Sequence, residues 1–170
     1  YSCKMLATDL VSSLLDADID AFLLNSEAYD YSNIVRAERV NAWLKLDRRI
    51  ILISLHHNAQ PTDKAGYADK YGVKGYMNNG ATGVEIYTSK GKTKSDLIAD
   101  YIYTELSHEF TDLKFRCDWR DGDADREANF TVLTATHCPA VLIEWLFMTT
   151  YSDCKMIADK NYRKRYVEAL

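Results

Sequence analysis

Two short runs of branched apolar side chains constrain the fold of this 170-residue sequence most strongly. Ile50-Ile51-Leu52-Ile53 and Ala140-Val141-Leu142-Ile143 each have the length of a strand. Neither run alternates with polar residues, as a half-exposed strand does. Strands of this kind are typical of parallel sheets that helices cover on both faces. The sequence therefore predicts a central strand over 49–55 and a second buried strand over 140–144.

Amphipathic segments surround these two strands. Leu6, Leu10 and Leu14 recur every four residues and predict a helix over 3–16. The pattern Thr93-x-x-Asp96 resembles a capping box and predicts a helix start. The inner face of that helix would carry Leu97, Ile98, Tyr101, Ile102 and Leu106. The other predicted elements are a short strand over 21–24, a helix capped by Asp30 or Ser32, a strand over 83–88 and a final helix over 152–169.

The alternation of strands and helices predicts an α/β three-layer sandwich with a mostly parallel, twisted sheet. Residues 1–170 are predicted to form a single domain, because no linker or composition shift divides them. The net charge of −4 argues against a nucleic-acid partner, since phosphate binding needs a basic surface. No apolar run approaches the roughly 20 residues of a membrane span, so no membrane insertion is predicted.

Reactive side chains follow the two apolar strands directly. The first strand runs into His56, and the second runs into Glu144. Because sites in parallel sheets form beyond the carboxyl ends of the strands, we expect these two side chains to converge. A neutral imidazole can bind zinc while a carboxylate moves a proton, which is the chemistry of metal-assisted hydrolysis. A structural histidine and a salt-bridged glutamate remain the alternatives at this point.

Two other stretches were considered as sites. Residues 58–82 contain many Gly and Asn residues and are predicted to be a long binding loop. Asp121, Asp123 and Asp125 begin like a calcium-binding EF-hand loop, but Arg126 and Val132 replace its essential Gly and Glu. That stretch is therefore predicted to be a solvated turn. The four cysteines show no paired spacing and are predicted to be free thiols.

Several motifs together resemble a known enzyme family. Ser54–Ala59 fits S-x-H-x-N-A, Gly83–Tyr87 fits G-x-E-x-Y, and Pro139–Phe147 fits P-A-V-L-x-E-x-x-F. A fourth matching segment, Glu127–Leu133, ends in Val-Leu. In this order they resemble the zinc-dependent N-acetylmuramoyl-L-alanine amidases (amidase type 3) of cell-wall hydrolases and endolysins. The last motif and the Asp-Gly-Asp run are most similar to phage or prophage members.

The resemblance implies specific roles for four residues. His56 matches a zinc ligand, and Glu144 matches the catalytic glutamate that shuttles the proton. The substrate would be peptidoglycan, cleaved at the amide bond between N-acetylmuramic acid and L-alanine of the stem peptide. Asn58 and Arg116 are expected near the substrate, whereas His57 is assigned no metal role. The enzyme would act at the bacterial wall, either exported or phage-encoded and released at lysis, and no secretory signal is recognisable within residues 1–170.

The family binds Zn²⁺ through a His, a Glu and a second His, and only the last has a counterpart here, His56. The register of the motifs places the other two ligands and the first strand upstream of Tyr1, so the domain is expected to be incomplete at its N-terminus. The alternative is a catalytically inactive module that keeps the fold and binds cell wall. An unrelated α/β hydrolase is a weaker reading, because no nucleophile motif is present.

Overall fold

The computed structural model describes residues 2–26, 29–46, 49–60 and 80–170. These residues form six helices and four strands. In chain order they are α1 (Ser2–Asp16), α2 (Asn33–Leu44), β1 (Leu52–Asn58), β2 (Val84–Thr88), α3 (Lys94–Glu109), β3 (Arg126–Glu127), α4 (Thr131–Thr134), β4 (Ala140–Phe147), α5 (Tyr151–Ala158) and α6 (Lys160–Glu168). Most of the loop predicted over 58–82 lies outside the described residues.

The four strands form one mixed sheet in the order β1-β4-β2-β3. β1 runs parallel to β4, and β3 runs parallel to β2, whereas β2 and β4 are antiparallel. Seven of the eight residues of β4 are buried, so this strand is the centre of the described sheet. Its near-continuous apolar sequence follows from burial on both faces.

Helices cover both faces of the sheet, as the three-layer prediction requires. Alternate β4 residues point to opposite faces. Val141, Ile143 and Trp145 pack in the larger core cluster with apolar residues of α1, α3 and α6. Ala140 and Leu142 pack instead against Val132 and Leu133 of α4. The predicted α/β fold class is confirmed, and the face beneath α4 is the thinner of the two layers.

Two predicted strands differ from the structure. The strand expected to be central, over 49–55, forms β1 and has β4 as its one neighbour in the described sheet. Ile51 lies just before β1 and is 55% exposed, so the buried strand begins later than the prediction. The strand predicted over 21–24 is irregular chain. Phe22 there packs edge-on against Trp43, with ring centroids 4.4 Å apart, so its apolar character serves helix packing and not a sheet.

Two predicted helices also differ in detail. The inner face of α3 carries Ser95, Ala99, Ile102 and Leu106, while Leu97 and Tyr101 are exposed. The final helix is divided into α5 and α6 at Asp159. The Asp159 carboxylate accepts backbone N–H bonds from Asn161 and Tyr162, so it caps a new helix and ends the previous one.

The predicted capping box at α3 is present, and it yields a stability prediction. The Thr93 side chain accepts from Ser95 N at 3.0 Å, and Asp96 accepts from Thr93 N at 2.7 Å. Thr93→Ala removes one of these acceptors from the helix start. We expect it to lower the free energy of unfolding by about 1 kcal/mol in denaturant titrations. Thr104→Ala is the matched control, because the exposed Thr104 lies in the middle of α3, and it should change stability little.

None of the described helices combines the length and the apolar composition that a membrane crossing requires. Cys3, Cys117, Cys138 and Cys154 are all free thiols in the structure, with Cys138 buried.

Candidate active site

His56 and Glu144 face each other across the β1–β4 pair. Their Cα atoms are register partners in this parallel pair, so both side chains lie on the same face of the sheet. Both line one open cleft of about 280 Å³. The predicted convergence of His56 and Glu144 is therefore what the structure shows, but the two residues lie within their strands, because β1 continues to Asn58 and β4 to Phe147.

The walls of this cleft come from the thinner helical layer. α4 and the residues before it contribute one wall, and the first residue of α2 contributes another. Besides His56 and Glu144, the lining residues are Asn33, Asn129, Phe130, Thr131, Val132 and Leu142. Phe130 packs against Tyr87 with ring centroids 5.1 Å apart, which anchors the α4 wall to strand β2.

The His56 imidazole is held in a form that can bind a metal. Its Nε2 lies 3.0 Å from the Ser54 hydroxyl, two residues earlier on the same face of β1. Burial lowers the pKa of His56, and the positive charges of Arg36 and His57 lower it further. A neutral imidazole keeps the lone pair that a metal ligand donates.

Glu144 has the environment of a proton-transfer group. Burial raises its pKa to about 7, and the nearby charge of Glu85 contributes to the same shift. Its Oε2 atom is buried and has no hydrogen-bond partner. A carboxyl group whose pKa lies near neutrality can both accept and donate a proton under ordinary conditions.

Glu85 is a site residue to which the sequence analysis assigned no role, although it is the Glu of the G-x-E-x-Y match. It is the register partner of Glu144 in the antiparallel β2–β4 pair, so one row crosses three strands from His56 to Glu144 to Glu85. Glu85 is only 6% exposed. It accepts hydrogen bonds from Asn58 Nδ2 at 2.6 Å, Tyr87 Oη at 2.9 Å and Arg116 Nε at 2.8 Å. Its signal in the sequence was a lone carboxylate inside an apolar strand.

Asn58 and Arg116 both lie against Glu85 and outside the lining of the His56–Glu144 cleft. The position of Arg116 depends on Gly83, whose φ is +110°. A Cβ at residue 83 would lie 2.1 Å from the Lys114 carbonyl oxygen, so only glycine fits. This close approach lets the 114–116 segment pair with Val84 through two backbone hydrogen bonds.

A bulge follows Glu144 immediately. From His56 to Asn58 strand β1 advances two residues, while its partner β4 advances three, from Glu144 to Phe147. Leu146 accommodates the extra residue with a left-handed φ of 61° although it is fully buried. A branched residue in this conformation costs about 1–3 kcal/mol, and such strain is common beside functional sites.

His57 points away from the cleft. Its Nδ1 lies 2.7 Å from the Trp145 carbonyl oxygen, and its Nε2 lies 2.9 Å from the Ser2 hydroxyl. Both ring nitrogens are thus engaged in joining α1 to the end of β4. Across residues 2–26, 29–46, 49–60 and 80–170, no three His, Cys, Asp or Glu side chains converge closely enough to hold a metal ion.

Comparisons with known proteins agree with one another. The sequence profile of N-acetylmuramoyl-L-alanine amidases matches residues 3–170. No curated protein matches the chain. An N-acetylmuramoyl-L-alanine amidase from Clostridium difficile 630 has a similar structure, with a TM-score of 0.75 and 24% identity over 96% of this chain and 75% of that chain.

Two further solved structures are similar. The amidase AmiC2 of Nostoc punctiforme has a TM-score of 0.69 and 19% identity over 96% of this chain and 75% of that one. The catalytic domain of the CD27L endolysin, which targets Clostridium difficile, has a TM-score of 0.65 and 20% identity over 98% and 77% of the two chains. At these identities the likeness establishes a shared fold.

Proposed function

Since the chain belongs to the N-acetylmuramoyl-L-alanine amidase family, we propose that it hydrolyses the amide bond between N-acetylmuramic acid and L-alanine in peptidoglycan, with zinc as its cofactor. The observation that carries this proposal is the pairing of His56 with Glu144 in one cleft. A metal ligand and a proton-transfer group must stand side by side for metal-assisted hydrolysis.

The described residues would supply part of a zinc centre at this cleft. His56 would supply one ligand through its neutral imidazole, and the unpartnered Oε2 of Glu144 lies on the same face. When bound, zinc would supply Lewis-acid polarisation of a water and of the substrate carbonyl. Catalytic zinc sites use three protein ligands. We propose that the other two come from outside the described residues.

Glu144 would do the proton transfer. In its ionised form it would accept a proton from the attacking water at Oε2 and then deliver that proton to the departing amine nitrogen of L-alanine. Two chemical roles in one turnover require a carboxyl pKa close to the working pH, and burial together with Glu85 provides that. Glu85 itself keeps its hydrogen bonds and would take no part in proton transfer.

Arg116 and Asn58 are proposed as substrate-binding groups. Glu85 holds both side chains by hydrogen bonds. It lies at the end of the row formed by His56, Glu144 and Glu85, which is called the catalytic row below. Stem peptides carry carboxylates, and the Arg116 guanidinium presents several N–H donors in a geometry that suits a carboxylate. We propose that residues 1–170 belong to one catalytic domain and that the protein acts at the bacterial cell wall, either exported or released at lysis.

The test is hydrolysis of purified cell walls by the full-length protein. We expect clearing of the suspension and the appearance of new L-alanine amino termini, with no new reducing sugar ends. A strong chelator should suppress the rate at least about 100-fold, and added Zn²⁺ should restore it. Clearing that continues unchanged in the chelator would contradict the zinc proposal. Binding to the walls without any new amino termini would instead favour the inactive module.

A further inference from the structure

A second, acidic cleft lies apart from the catalytic row. This acidic cleft has a volume of about 190 Å³ and shares no lining residue with the first. It is formed at the end of β2, the start of α3 and the loop before β3. Its lining residues are Thr88, Gly91, Lys92, Asp96, Asp121, Asp123, Asp125 and Glu127. Five of these eight residues are acidic, and neither the fold nor the proposed catalysis uses the cleft.

Asp125 is the exceptional member of this cleft. It is only 3% exposed, so the solvated turn predicted for this stretch is wrong at Asp125, whereas Asp121 is exposed as expected. Its Oδ2 accepts a hydrogen bond from the Thr88 hydroxyl at 2.6 Å, but its Oδ1 is buried and has no partner. A buried carboxylate oxygen without a donor is costly and calls for a compensating ligand.

The neighbours of Asp125 provide that compensation only while the carboxyl carries a proton, which it can share with Asp123 in a hydrogen bond. Burial raises the pKa of Asp125, and the negative charges of Asp123 and Asp96 and the hydrogen bond with Asp123 raise it further, against the lowering effect of the Thr88 hydrogen bond. Lys92 is exposed, and no salt bridge joins it to a carboxylate within the described chain. Asp96 and Glu127 already accept N–H bonds from Thr93 and Gly91.

We propose that Asp123 and Asp125 bind a calcium ion in the acidic cleft. Carboxylate oxygens are the ligands that Ca²⁺ prefers, and calcium completes its shell of six to eight oxygens with carbonyl groups and water. Since no three carboxylates converge in the described chain, water must supply several ligands. The ion would join the loop over 118–125 to the end of β2, where Thr88 holds Asp125.

The limited ligand set fixes the expected affinity. Two carboxylates without a rigid cage correspond to the weak range of extracellular calcium sites, with a Kd of about 10⁻⁴–10⁻³ M. The competing occupant is a proton, because a raised carboxyl pKa lets the folded protein hold more protons than the unfolded chain. The contribution of Asp125 to the stability of the fold therefore falls as the pH rises above the pKa that this carboxyl has in the unfolded chain. Bound calcium should offset this loss of stability most at alkaline pH.

The experiment measures thermal unfolding of the full-length protein while CaCl₂ is added. The buffer contains no divalent cations, the protein keeps its bound zinc, and the pH is held at about 8. At this pH the Asp125 carboxyl is expected to be ionised and therefore able to bind a cation. With CaCl₂ raised to about 20 times the weakest expected Kd, we expect Tm to rise by about 4–7 °C. Isothermal titration calorimetry should show one site. No change in Tm, or an equal rise with MgCl₂, would overturn the calcium proposal.

Substitutions in the acidic cleft test whether calcium binds there or at another acidic part of the surface. Asp125→Asn should abolish the calcium-dependent rise in Tm while raising the Tm of the calcium-free protein, because it removes a buried charge. Asp123→Asn should also abolish the rise, and it provides the test if Asp125→Asn does not fold. Asp118→Asn is the matched control, since Asp118 belongs to the same loop but pairs with Arg120. A calcium response that persists in both cleft variants would contradict the site.

Discussion

Glu144→Gln is expected to reduce the rate of amide hydrolysis about 10²–10⁴-fold, which is the usual contribution of a general acid–base group. The substitution keeps the shape of the side chain and removes its capacity to accept and deliver a proton. It also removes a carboxylate that burial and Glu85 disfavour, so the variant should fold at least as stably as the parent. The measurements are kcat on a defined muramyl-peptide, zinc content and circular dichroism.

Glu105→Gln serves as the control for Glu144→Gln. Glu105 is exposed on α3 and does not line the cleft, so Glu105→Gln makes the same chemical change outside the site. The kcat of this variant should equal that of the parent. Retention of more than half of the activity in Glu144→Gln with zinc still bound would exclude Glu144 as the proton shuttle. Loss of zinc in this variant would instead assign the residue to the metal, and the proposed division of roles with His56 would be wrong.

Asp153→Ala is expected to lower the free energy of unfolding by about 3 kcal/mol, with a fall in Tm of about 6–12 °C. Asp153 is fully buried in the first turn of α5. Its carboxylate accepts hydrogen bonds from Thr82 Oγ1 at 2.6 Å, Phe147 N at 2.9 Å, Ser152 Oγ at 3.2 Å and Gly83 N at 3.4 Å. Alanine would leave the buried backbone N–H groups of Gly83 and Phe147 without this acceptor.

Two further variants show whether the loss of stability comes from the missing hydrogen bonds or only from the removal of a negative charge. Asp112→Ala removes an exposed carboxylate and should change stability by less than about 0.5 kcal/mol. Asp153→Asn retains one acceptor oxygen and should cost less than Asp153→Ala. Chemical denaturation of all three variants gives the free energies directly. Equal stabilities for Asp153→Ala and Asp112→Ala would show that the hydrogen bonds contribute nothing net.

The sequence could predict the parts of the fold that local pattern determines. The α1 stripe, the capping box at Thr93 and the buried strand β4 each depend on residues that are neighbours along the chain. The meeting of His56 and Glu144 was also predictable, because both residues directly follow apolar runs whose strands pair in parallel, although β1 and β4 continue beyond them to Asn58 and Phe147.

Features that depend on distant pairing could not be predicted in this way. Glu85 joins the row of His56 and Glu144 only because β2 runs antiparallel to β4, and nothing within β2 specifies that partner. Asp125 resembles its exposed neighbours in composition, and its burial results from the Thr88 hydroxyl, 37 residues earlier in the chain. The strand predicted over 21–24 failed for the same reason, since Phe22 packs edge-on against Trp43 of α2, 21 residues later, and stays half-exposed.

The position of β4 along the chain determines when the site can assemble during synthesis. This central strand is also the last of the four described strands, and it pairs with β1 and β2 on its two sides. The ribosome releases it after the other three described strands, and pairings over such long sequence separations form slowly. Until Ala140–Phe147 emerges, His56 and Glu85 have no strand between them. The row that contains His56, Glu144 and Glu85 therefore cannot form before residue 147 has been synthesised, and the proposed activity cannot appear before that point.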